Sequence, residues 1–122
     1  MLQLRSILKP ADNTGAKRLK LIHVYGGSKR RYARLGDVVL CVVDGSTPYG
    51  LVKDRQKVKA VIVRTKKEQR RPDGSYIRFD DNAAVIIDNN NNPIGSRVFG
   101  PIAREVKDKG FKKIASLAQE MY

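Results

Sequence analysis

The sequence predicts an all-β domain, a small closed or nearly closed barrel finished by a short helical C-terminal region. Three observations predict it. Apolar, β-rich segments recur at short intervals between residues 19 and 87. Clusters of Gly, Asp, Asn and Pro punctuate them. From Ile102 onward the apolar spacing loosens to a helical period. Closure would remove the open edges that such apolar strands otherwise expose to aggregation. The order of the strands is not contained in this pattern.

The first strand-like segment is 19–25, Leu-rich with His23 inside it, and the second is the buried-looking run 37–43. A third spans 59–65, a short lead-in covers 76–79, and a further strand covers 83–87. The connections carry turn chemistry. Asp12-Asn13-Thr14-Gly15, Gly26-Gly27-Ser28 and Asp44-Gly45 supply residues that tolerate positive φ or bond their own backbone. Arg71-Pro72-Asp73-Gly74 sets Pro where φ is fixed and Gly where a tight hairpin needs it. Asn89 to Asn92 before Pro93 form a short polar turn. Near the end, Ile102 and Val106 lie four residues apart, and Gly110 is placed to stop that helix. After it Phe111, Ile114, Ala115, Ala118 and Met121 share one helical face opposite Lys112, Lys113 and Glu120. That face packs on its own barrel or, alternatively, on a partner protein.

At 122 residues, with neither repeat nor long linker, the chain reads as one domain, 1–122, with its helical part at about 102–122. Its 25 Lys plus Arg against 12 Asp plus Glu leave a net charge of +13, spread along the chain. A folded surface must carry that charge, and a polyanion relieves its self-repulsion. Phosphate is the natural counter-charge, since each Lys or Arg can release a condensed counterion on binding. One cysteine, Cys41, excludes an internal disulfide, and one histidine beside it leaves no Cys/His zinc set. The N-terminal apolar stretch is too short for a signal peptide, and the longest apolar run is far below a membrane span. The expectation is a cytoplasmic protein with no membrane partner, no cofactor and no metal.

Two clusters carry the chemistry. Lys29, Arg30, Arg31 and Arg34 surround Tyr32 with no acid among them. Crowded like charges repel unless neutralised, so several phosphates are the expected partners, with Tyr32 stacking on a base or sugar. The bland alternative is a solvated loop with a core tyrosine. The second cluster, 64–78, holds Arg64, Lys66, Lys67, Arg70, Arg71 and Arg78 and extends the preceding strand into a protruding hairpin. Such an arm reaches between RNA helices; alternatively it is a charged hairpin that merely resists edge pairing. Lys17 and Arg18, with Lys20, and Lys107, Lys109, Lys112 and Lys113 are weaker signals.

Catalysis finds little support. His23 and Cys41 could meet, though no motif accompanies them. Asp80 and Asp81, if extended, would point to opposite faces. Phosphate-cradling glycine loops and metalloprotease motifs do not occur.

Several stretches resemble the universal large-subunit ribosomal protein fourteen family, most nearly its bacterial type. They are Ala11-Asp12-Asn13-Thr14-Gly15-Ala16, the run 26–33, Ala60-Val61-Ile62-Val63-Arg64-Thr65-Lys66-Lys67, the run 70–79, Asn82-Ala83-Ala84-Val85-Ile86-Ile87 and Gly95-Ser96-Arg97-Val98-Phe99-Gly100-Pro101. The family pattern falls here on Ala60 to Val63, Asp73, Gly74, Phe79, Asn82 and Val85. The resemblance implies a five-stranded closed β-barrel with a projecting β-hairpin and a short C-terminal helical region. It implies direct binding to large-subunit rRNA, a neighbouring large-subunit ribosomal protein, small-subunit rRNA at an intersubunit bridge, and a ribosome-silencing factor on an exposed surface. It adds Arg97 to the candidate rRNA contacts above. Departures are Pro10 and Ser6, which make an irregular first strand an expectation, and the segment 52–58, which lacks the usual glycine turn.

A non-catalytic rRNA-binding constituent of the large subunit is the reading these features favour. A free single-strand binder would need an aromatic stacking face, and aromatics are only 7% of the chain. An enzyme would need converging polar groups that the sequence does not offer.

Overall fold

Five strands close into a barrel. The structure, a computed structural model, describes residues 2–26 and 32–122. The strands are β1 (Ile7–Pro10), β2 (Ala16–Val24), β3 (Val38–Ser46), β4 (Lys57–Arg64) and, after a separate two-stranded hairpin of β5 (Gln69–Arg70) and β6 (Tyr76–Ile77), β7 (Ala83–Ile87). The helices are α1 (Arg104–Asp108) and α2 (Lys112–Leu117). Antiparallel pairs run from β1 through β4 to β7, and one parallel pair, Lys9 with Ala83 and Pro10 with Ala84, seals the ring.

Alternation sorts the side chains. Leu19 and Leu21 on β2, Val39, Cys41 and Val43 on β3, Ala60 and Ile62 on β4, and Ala84 and Ile86 on β7 fill the interior. On β4 and β7 the intervening residues Val61, Val63, Val85 and Ile87 are buried as well, against Ile102, Val106, Phe111 and Ile114 of the C-terminal region. Strands covered on both faces read as continuous apolar runs, which is why 59–65 and 83–87 show no polar alternation. The helical face therefore packs on its own barrel.

The expected strands are present, β7 with the expected ends and the others with shifted ones; the first strand is short, yet it pairs on both sides without the expected irregularity. Pro10 is harmless in it: the amides of Lys9 and Ala11 donate to Asn82 and Ala84 of the neighbouring segment, and the missing N–H of Pro10 falls on the other side. Two expectations are corrected, and the loop 52–58, left open by the sequence, takes a definite form. Gly45 is not a turn but lies inside β3, with φ +85 and the Lys17 side chain laid across the space its missing Cβ leaves. The second helix ends at Leu117 rather than running to Met121. Ala118 is extended, and Met121 instead forms a parallel bridge with Ile102. The loop 52–58 makes its turn without glycine: Arg55 adopts φ 65 and donates its N–H to Val43.

Gly110 does end α1, by a Schellman motif. It takes φ +99, its N–H reaches the Lys107 carbonyl, and the Phe111 N–H reaches that of Val106. Phe111 and Val106 then meet in the outer apolar cluster.

Candidate nucleic-acid interface

The hairpin grows out of β4, and its root is an arginine. A register shift between Ile62 and Arg64 re-aims Arg64, which is only 6% exposed. Its Nε donates to Asp81 Oδ1 at 2.8 Å, and its Nη1 donates to the carbonyls of Phe99 at 2.8 Å and Pro101 at 2.9 Å. Gly100, at φ +77, permits this approach, since a Cβ there would lie 2.6 Å from Nη1. Arg64 is thus turned inward, not outward as the hairpin reading expects. Beside it a groove of about 670 Å³ runs between Ile77, Phe79, Phe99, Pro101 and Tyr122, with Lys9 and Arg78 among its charged walls.

Beyond the root, Asn82 braces the arm, accepting the Lys66 N–H at 2.7 Å on its side chain and the Lys9 N–H at 2.8 Å on its carbonyl. The tip is closed by Arg71 N–H on Ser75 O and Gly74 N–H on Arg71 O, with Gly74 at φ +90. The Ser75 hydroxyl and amide donate to Asp73, and chiefly these bonds hold its carboxyl below the usual range. Arg71 turns back onto the body: it pairs with Glu105 of α1 at 2.9 Å and donates to the Tyr122 carbonyl. Gln69 is tied in too, accepting the Leu35 N–H. The cations that remain outward on the arm are Lys66, Lys67, Arg70 and Arg78, with Glu68 and Asp73 as its exposed acids.

The other candidates divide similarly. Lys17 is exposed at the start of β2, and Arg18 is exposed and 3.3 Å from Asp44. Tyr32 and Arg34 are exposed; Lys29, Arg30 and Arg31 lie outside the described residues. Lys109 is committed to the buried Asp37 at 2.7 Å, whereas Lys107, Lys112 and Lys113 are exposed. Arg97 is exposed on a loop that Asn13 holds in place. The Asn13 carbonyl oxygen accepts the N–H groups of Ser96 and Arg97, and Gly95 leaves room for it.

Two features were illegible as sequence. Asp12 is buried and accepts the Ile86 N–H at 2.9 Å and the Thr14 hydroxyl at 2.8 Å. Burial raises its pKa, against the pull of those hydrogen bonds. The other is a set of lysines on alternate positions of separate strands, Lys20, Lys57 and Lys59. They are dispersed in the chain and meet only through strand pairing. Period-two spacing within each strand is the signal that could have found them.

The cysteine–histidine pair is taken apart by the sheet. Cys41 faces the core, its thiol pushed up to about 12 by burial, while His23 faces outward. Asp80 and Asp81 sit at a bend, not in an extended strand; both border the groove, and Asp81 is engaged with Arg64. Among the described residues no three His, Cys, Asp or Glu gather around a metal position, and no helix is long and apolar enough to cross a membrane.

The closed five-stranded barrel thus carries a braced basic hairpin and a helical C-terminal region packed outside the sheet. The family model for ribosomal protein L14p/L23e matches residues 1–122. The chain belongs to the ribosomal protein L14p/L23e family, and with it to the structural proteins of the large ribosomal subunit.

Proposed function

We propose that this protein works as one domain, 1–122, that binds large-subunit rRNA directly and contributes to the interface with the small subunit. The observation that carries the reading is the braced hairpin. Two of its arginines, Arg64 and Arg71, serve as struts into the body, and Lys66, Lys67, Arg70 and Arg78 are left facing out. An arm held in this way presents cations to phosphates with less ordering cost than a free loop. Arg34, Tyr32 and Arg97 join it as contacts, and so do Lys29, Arg30 and Arg31, which complete the first basic cluster of the sequence. Lys17 and Arg18 extend the contact at the barrel end. Shape rather than base sequence sets specificity, because A-form helices hide most base edges. The chemistry at work is charge neutralisation, with no catalysis, and the setting is the cytoplasmic ribosome. A neighbouring large-subunit protein, small-subunit rRNA at a bridge and a ribosome-silencing factor are the further partners of this reading.

Titration against refolded large-subunit rRNA over a range of salt tests it. Changing Lys66, Lys67, Arg70 and Arg78 together to Gln is expected to weaken binding and to lower the log–log salt slope by up to about 0.9 for each phosphate no longer neutralised. An unchanged slope rejects the hairpin as a phosphate-binding arm. Preference for an unstructured strand over the folded RNA rejects the structured-RNA reading.

A further inference from the structure

Strand pairing assembles a second cationic surface on the outer wall of the barrel. Lys20 of β2 pairs with Val42 of β3, which pairs with Lys57 of β4; His23 pairs with Leu40, which pairs with Lys59. Their strand neighbours Leu21, Cys41, Val58 and Ala60 point into the core. The wall is thus a column of Lys20 and His23 on β2 and a column of Lys57 and Lys59 on β4, separated by a half-buried floor of Leu40 and Val42. Two strand spacings set the columns about 10 Å apart. Arg18 continues the β2 column opposite Asp44, an acid at the wall's edge. At the other edge Tyr25 meets the His23 ring edge-on at 4.9 Å, with Lys59 Nζ 5.7 Å from its ring centre. The C-terminal helices do not cover this surface, since they lie over Val61, Val63, Val85 and Ile87 on the adjoining arc.

We infer that this wall is a second RNA-contacting face, taking the shallow groove of an A-form duplex across β2, β3 and β4. The inference rests on the RNA reading above and adds a surface on the barrel wall, outside the hairpin. Charge complementarity selects the occupant: cations on two strands, with Asp44 as the acid beside Arg18, suit a polyanion. Lysine is depleted at protein–protein interfaces, which instead centre on large apolar anchors, and Leu40 and Val42 are small and half-buried. A convex wall with lysines at its flanks matches a wide, shallow groove whose two phosphate backbones lie on either side of exposed ribose hydroxyls. The small apolar floor would face the sugars while Lys20, Lys57 and Lys59 reach the phosphates. Its readout is shape.

The experiment compares three proteins in the rRNA salt titration: the wild type, the hairpin variant with its four outward cations changed to Gln, and a wall variant with Lys20→Gln, Lys57→Gln and Lys59→Gln. The wall variant is expected to lower the slope by up to about 0.9 per lysine. A second variant with arginine at the same three positions is expected to restore it, which excludes loss of fold as the cause. A wall variant with wild-type slope overturns the inference. If the hairpin variant still lowers the slope in that case, the RNA reading survives without the wall. If neither variant moves the slope, the RNA reading itself fails. A wall variant that binds rRNA normally but no longer joins a neighbouring ribosomal protein in the assembled subunit also overturns it, and assigns the wall to a protein.

Discussion

Arg64 shows how one residue can carry the charge of a ligand-binding group and be consumed by the fold. Its guanidinium joins the hairpin root, the Asp81 bend and the carbonyls of Phe99 and Pro101. Replacing it with methionine strips three acceptors of their donor in a nearly dry setting. Arg64→Met is expected to lower stability by about 3 kcal/mol, read from the urea midpoint; a loss below about 1 kcal/mol would show the arginine to be dispensable. Its role was hidden in the sequence, because a cation ending an apolar strand and opening a basic run looks like the first exposed residue of an arm. Only the bulge turns it inward. Asp12 hides in the same way behind a turn-like tetrapeptide. Because burial holds its folded pKa above the free value of 3.8, the folded state keeps the proton longer than the unfolded chain. Stability contributed by Asp12 is therefore present below pH 3.8 and lost as the pH rises through the raised folded value. The stability of the wild type relative to Asp12→Asn is expected to fall across that window in pH-dependent denaturation. A difference that stays flat, or grows, would contradict the sign.

At the scale of the element, legibility followed how local the cause was. β7 was readable to the residue because both its faces are apolar. Gly110 was readable as a stop because a Schellman cap needs only adjacent residues. The end of α2 was not: Met121 keeps helical spacing with Ile114, yet pairing with Ile102, far behind it in the chain, claims it. Nor was the turn at 52–58, where the expected glycine is missing and Arg55 takes φ 65 instead. A left-handed conformation costs an ordinary residue roughly 1–2 kcal/mol, and glycine's greater freedom when unfolded returns part of that. Arg55→Gly is expected to raise stability by about 0.5 kcal/mol in the same denaturation assay; a loss would mean that the arginine side chain supports the loop.

For the molecule as a whole, the charge of +13 foretold a polyanion partner but not its distribution over the surface. Among the described residues, folding commits some cations to ion pairs, Arg64, Arg71 and Lys109, and turns others out on the arm and the wall. No local pattern reveals that division, since it depends on which carboxylates the topology delivers to each arginine. The closure of the ring has its own consequence for biosynthesis. Lys9 pairs with Ala83, and Asp12 receives the Ile86 amide from 74 residues away, so the earliest strand to leave the ribosome waits for the latest. Until β7 emerges, β1 and β4 each lack a neighbour, and the nascent chain holds two sticky, unmatched borders. The final seam is short and is the ring's only parallel pair, which makes completing the barrel a late, long-range event rather than a gradual zipping from the N-terminus.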